Sequence, residues 1–124
     1  TALIGTGFPF KWIDQLPEFL RELELVLPAC AGIRRGGSAS LDLCYLAQGS
    51  FDAFWEITLD PWDVAAGLVI LEEAGGFARR RGGGPVDAET SGFVLAANSV
   101  ELMESLGALL HEAERGAHKK APTV

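Results

Sequence analysis

The chain has 124 residues, 48% hydrophobic and 22% charged, the balance of one globular domain or part of one, which excludes a disordered chain. Its 15 glycines have no Gly-x-y period, which excludes collagen, and they cluster between apolar runs as tight connections do. The net charge of −7 argues against a general nucleic-acid binder, which needs a basic face, and no apolar run approaches the ~20 residues of a membrane helix.

Ala2 to Gly5 reads as a short strand, broken by Gly5-Thr6-Gly7-Phe8-Pro9. The break is not a dinucleotide fingerprint, because Phe10 stands in the third glycine's place. Asp14 is the expected N-cap of a helix with Pro17 in its first turn. Leu16, Phe19, Leu20, Leu23, Val26 and Leu27 recur there at helical spacing, with Glu18, Arg21 and Glu22 between them, until Pro28 ends the run. Ala31 to Arg34 predicts a second strand, and Gly36-Gly37-Ser38 turns it into a helix from Ala39 to Gln48. Apolar residues lie nearly all round that helix and Asp42 is its only charge, which predicts burial.

Phe51 to Glu56 alternates as a half-buried strand. From Asp60-Pro61 a third helix runs to about Ala74, stopped by Gly75-Gly76. Phe77 to Arg80 predicts a strand, residues 82 to 85 a loop, and Phe93 to Ala97 a strand covered on both faces. Asn98-Ser99 caps a last helix whose expected core face is Leu102, Leu106, Leu109, Leu110 and Ala113, and His118 to Val124 reads as a frayed tail. Strands alternating with helices predict an α/β layered fold. Trp12, Trp55 and Trp62 read as packing residues. Cys30 and Cys44 read as small core residues, and the compartment as cytoplasmic. Thr1 stands directly before an apolar segment and Met103 is the only methionine, so the chain reads as cut from a longer polypeptide.

The stretch Asp60-Pro61-Trp62-Asp63 carries the most chemistry. Asp60 is the expected N-cap and Asp63 the third helical residue, facing the positive end of the helix dipole. Asp63 is either a capping carboxylate or a hard-metal ligand, since magnesium needs only one or two carboxylates beside substrate oxygens. Gly36-Gly37-Ser38-Ala39 is either a plain turn or a helix start whose amides meet a ligand's oxygens. Glu56 is either a surface strand end or an acceptor for sugar or polyol hydroxyls. Arg79-Arg80-Arg81 reads as a solvated strand end, and His111 and His118 have no partner at metal spacing. Ser38 and Ser50 lack a nearby histidine for a hydrolase triad.

Trp62-Asp63-Val64-Ala65-Ala66-Gly67, followed by Glu72-Glu73-Ala74-Gly75-Gly76, resembles the C-terminal signature of the inositol monophosphatase family. Gly32 to Ala39, Phe51 to Glu56, Gly83-Gly84-Pro85 and Ala96-Ala97-Asn98 follow in family order. The resemblance implies the C-terminal part of a layered αβαβα sugar-phosphatase-type fold, a mixed sheet flanked by helices. It implies a Mg2+-dependent phosphomonoesterase, inhibited by lithium in many members, that acts as a homodimer on a small phosphorylated polyol. Asp63 would be a metal ligand; Gly37, Ser38 and Ala39 would line the substrate; Glu56 would contact a substrate hydroxyl. The family's N-terminal glutamate and Asp-Pro-Leu/Ile-Asp-Gly-Thr/Ser run are absent, so residues 1–124 read as a C-terminal subdomain, inactive alone. Roughly 130–150 upstream residues are expected to supply the missing carboxylates that metal catalysis needs. Inositol monophosphate is the first expected substrate. Histidinol phosphate, fructose-1,6-bisphosphate and phosphoadenosine phosphate are its rivals. A non-catalytic RNA-polymerase-associated member is a second reading, and Thr1 as an N-terminal nucleophile a third.

Overall fold

Short continuous apolar runs build strands that bury both faces, which requires helices above and below them. That arrangement appears in a computed structural model describing residues 2–9, 13–80, 83–86 and 92–117. Leu3–Thr6 (β1) lies parallel to Gly32–Arg34 (β2) on one side and to Ala53–Leu59 (β3) on the other. Gly92–Ala97 (β5) runs antiparallel to β3, and Phe77–Arg80 (β4) antiparallel to β5 at the edge. The mixed five-stranded sheet has the order β2-β1-β3-β5-β4. Thr1, Trp12, Arg81, Gly82 and the tail 118–124 lie outside the described residues.

Leu16–Val26 (α1) and Val100–Ala117 (α4) cover one face. Phe19 and Val26 of α1 and Met103, Leu106 and Leu110 of α4 meet Ile4, Ala53, Trp55, Ile57, Leu95 and Ala97 there. Ala39–Ala47 (α2) and Pro61–Glu73 (α3) cover the other face, where Leu43, Leu46, Val64, Leu68 and Leu71 meet Phe54, Leu59, Val94 and Ala96. Odd and even residues of β5 thus go to opposite layers, as a central strand requires. In β3 the register shifts between Glu56 and Leu59, and this irregularity sends Leu59 to the α2/α3 side although Ala53, Trp55 and Ile57 face the other way.

Several expectations change. β3 is not half-buried: it is central, and Ala53, Phe54, Trp55 and Ile57 are all buried. The N-cap of α1 is Gln15 without a side-chain bond, because Asp14 sits inside a preceding 3-10 turn, Ile13–Gln15. The helix ends before Pro28, which tightens the chain into a second such turn, Leu27–Ala29. Met103 joins the core stripe of α4, while Leu102 and Leu109 are partly buried beside it. Ser99 caps that helix as expected, accepting the Leu102 N–H at 3.1 Å. Cys30 and Cys44 are half-buried free thiols, and Cys30 packs against the core on the α1/α4 side. Helix α2 is not buried all round: Leu41 and Tyr45 are exposed, as are Val69 and Ile70 of α3. Among the described residues no helix is long and apolar enough to cross a membrane.

Glu22, one of the charges between the apolar positions of α1, is 1% exposed. Its Oε1 accepts the indole N–H of buried Trp55 at 3.0 Å. Glu22→Leu removes that acceptor inside the core and is expected to cost about 1–3 kcal/mol of stability. Glu22→Gln keeps an oxygen acceptor and should lose less. Denaturant unfolding of the two variants checks this, and equal stability of wild type and Glu22→Leu would show the bond to be energetically idle.

Candidate active site

In open α/β sheets, ligands gather outside the carboxyl ends of parallel strands where neighbouring connections diverge. β1 is such a point. Its connection to β2 carries α1 on one face, and the β2–β3 connection carries α2 on the other. A cavity of about 450 Å³ opens there, lined by Gly7 and Phe8 after β1, Arg35 and Gly37–Ser40 after β2, and Glu56, Leu59, Trp62 and Asp63. All five residues singled out by sequence and resemblance, Gly37, Ser38, Ala39, Glu56 and Asp63, border this one space.

Local chemistry explains each placement. Ser38 is the extended N-cap of α2 and its hydroxyl accepts the Leu41 N–H at 3.4 Å. Gly37 has a φ of +92°, the left-handed region that favours glycine, so the chain turns sharply between β2 and α2. Asp60 is the extended N-cap of α3, and Asp63 Oδ2 accepts its N–H at 3.0 Å. The capping role of Asp63 is therefore real, and the same carboxylate borders the cavity. The Ser40 hydroxyl donates to the Asp63 carbonyl at 2.6 Å and ties the two helix starts together. Thr6 Oγ1 donates to the Trp55 carbonyl at 2.8 Å and locks the end of β1 against β3, one residue before Glu56. The Glu56 carboxylate fills the space left by the missing side chain of Gly7.

The charges are tightly grouped. Burial first, then the neighbouring Asp42 and Asp63 carboxylates, push the Glu56 carboxyl up to about 7, against the pull of Arg35. Burial raises Asp42 to about 6, again opposed by Arg35. The Arg35 guanidinium carbon lies 5.3 Å from the Phe8 ring centroid.

Gly7, Phe8, Arg35, Ser40 and Trp62 were not singled out as site residues. Trp62, read as packing, is 73% exposed at the cavity rim. The lone charge of Asp42 in an apolar helix was the one available sign of the carboxylate behind the wall. Asp63 offers magnesium the hard oxygen donor it prefers. Among the described residues no three His, Cys, Asp or Glu side chains are grouped to hold a metal ion, so Asp63 fits as one ligand and not as a whole site.

A mixed sheet between two helical layers, with carboxylates and two helix starts around a cavity at its parallel-strand ends, defines a layered α/β protein with a candidate ligand site. The model of the inositol monophosphatase family matches residues 2–115, and the chain belongs to that family. It is 48% identical over 99 residues to an inositol-1-monophosphatase of Rhizobium meliloti, covering 80% of this chain and 35% of that protein. It is 53% identical over 77 residues to the Nus factor SuhB of Pseudomonas aeruginosa, covering 60% of this chain and 28% of that protein. The structure of an inositol monophosphatase from Anabaena superposes with a TM-score of 0.75 at 34% identity, covering 90% of this chain and 44% of that one. The chain thus spans between 28% and 44% of the length of these relatives.

Proposed function

We propose that this chain is the C-terminal part of a magnesium-dependent phosphomonoesterase for a small phosphorylated polyol, inositol monophosphate first. It supplies one metal ligand and the alcohol side of the site. The observation that carries the reading is the convergence of Asp63, Glu56 and Gly37–Ala39 on one cavity. The relatives named inositol-1-monophosphatase support it. Their greater length and the exposed apolar side chains of Leu41, Tyr45, Val69 and Ile70 support a larger whole, in which further carboxylates complete the site.

Asp63 would hold the ion through a carboxylate fixed by the Asp60 N–H. When bound, magnesium supplies charge neutralisation on the ester oxygens. Glu56 accepts hydrogen bonds from hydroxyls of the alcohol, and in its charged form, favoured above about pH 7, it repels phosphate oxygens and so orients the ester with its phosphate away from β3. The Ser38 turn shapes the opposite wall.

Glu56→Gln in the full-length protein should raise KM for inositol phosphate about tenfold, and KM for a phosphate ester without hydroxyls far less. Steady-state kinetics on both esters check this, and equal losses would remove Glu56 from alcohol recognition. Relatives named Nus factor SuhB favour a second, non-catalytic reading. A full-length protein that hydrolyses no phosphate ester but is retained by RNA polymerase in a pull-down would establish it.

A further inference from the structure

The Gly5-Thr6-Gly7 run at the end of β1 matches no nucleotide fingerprint, and the fold gives it a different use. Ile4 points to the α1/α4 layer, while Gly5 and Gly7, two residues apart, turn a bare backbone to the α2/α3 side. Each gap is filled from the β3 segment. A Cβ at position 5 would stand 3.0 Å from the Phe51 ring and 3.3 Å from the Phe54 ring. A Cβ at position 7 would overlap Oε1 and Cδ of Glu56 and stand 3.1 Å from its Cγ. The strand register brings the two residues side by side, since Thr6 pairs with Trp55 just before them. Gly7 stays outside the left-handed region that Gly37 occupies, so its backbone does not require glycine, and the reason for one is space. Parting the strands to make room would pull on the 2.8 Å bond from the Thr6 hydroxyl to the Trp55 carbonyl. The flexible Glu56 side chain gives way first, and its open side is the cavity that Gly7 and Glu56 both line. A carboxylate pushed off Gly7 therefore moves into the space of the ligand.

We propose that Gly7 is a positioning residue for Glu56: the missing side chain lets the carboxylate lie back against the end of β1, which fixes the acceptor for the substrate's hydroxyls and keeps the cavity open in front of it. The proposal rests on the polyol-phosphate reading of the cavity and deepens it. Position 7 then selects the alcohol. Glycine admits a bulky alcohol with several hydroxyls, and any larger residue selects against it.

The test is a cycle of Gly7→Ala, Glu56→Ala and the double variant in the full-length protein with magnesium present. KM and kcat are measured on inositol phosphate and on a phosphate ester without hydroxyls. Gly7→Ala should raise KM for inositol phosphate about tenfold, with kcat and the KM for the other ester within about threefold. Added to Glu56→Ala, the same substitution should change neither KM, because the overlapping carboxylate is gone. A Gly7→Ala protein that melts lower but keeps its KM would overturn the proposal, as would equal losses with Glu56 present and absent. Should Gly7→Ala not fold, it is added to Glu56→Asp, whose carboxyl carbon takes the place of Cγ, 3.1 Å from a Cβ at position 7. KM for inositol phosphate must then rise above that of Glu56→Asp alone, and an unchanged KM overturns the proposal. A Gly7→Ala chain that fails to fold even with Glu56→Ala overturns it too, because the obstacle then lies elsewhere. A wild type that hydrolyses neither ester ends the phosphatase reading and this proposal with it. A wild type active on both, with a KM indifferent to Gly7→Ala, ends this proposal alone.

Discussion

Asp63→Asn in the full-length protein is expected to lower kcat by ~100-fold or more and to raise the magnesium concentration needed for half-maximal rate. The melting temperature should barely move. The amide keeps an oxygen in the place that accepts the Asp60 N–H at 3.0 Å, so the start of α3 survives the change. What it loses is the negative charge that a hard cation requires from its ligand. A magnesium titration of the steady-state rate separates the observed capping role of this carboxylate from its proposed metal-binding role. Near-normal turnover with a lower melting temperature would leave Asp63 a capping residue only.

The start of α3 was legible because its signals are local. Pro61 in the first position, Asp60 before it and Asp63 after it follow from backbone groups within one turn. The alternation of Phe93 to Ala97 was legible too, since a continuous apolar strand needs cover on both faces. What sequence periodicity could not give was the identity of the neighbour across the gap. Glu22 stands between the apolar positions of an amphipathic helix and nothing there marks it as buried, yet the indole N–H of Trp55 finds its acceptor in it inside the core. Trp62 read as packing because of its size, yet the N-terminal turn of α3 projects it over the cavity rim. Helix α2 read as buried, and its exposed residues Leu41 and Tyr45 show that this chain does not cover it all round. Arg35 stands two residues before and Asp42 three residues after the Gly37–Ala39 turn, but only the fold reveals that the charges of both bear on Glu56.

Gly67→Ala should destabilise the protein by about 1–3 kcal/mol, although alanine is the better helix former by ~1 kcal/mol. The opposing signs make the experiment decisive. A Cβ at position 67 would lie 2.8 Å from Leu43 Cβ and 2.9 Å from the Ser40 carbonyl oxygen. Neither atom can swing away, because one is fixed to the α2 backbone and the other belongs to it. The helices must therefore separate. Separation pulls directly on the 2.6 Å bond from the Ser40 hydroxyl to the Asp63 carbonyl, which joins the two helix starts. Asp63 would then shift relative to Ser38 and Ala39, so a stability loss seen by denaturant unfolding should be accompanied by a fall in kcat/KM of the full-length protein. A stability gain would mean that α2 and α3 lie farther apart than this packing requires. A stability loss with unchanged kcat/KM would mean that the two helix starts are held in place by something other than the Gly67 contact.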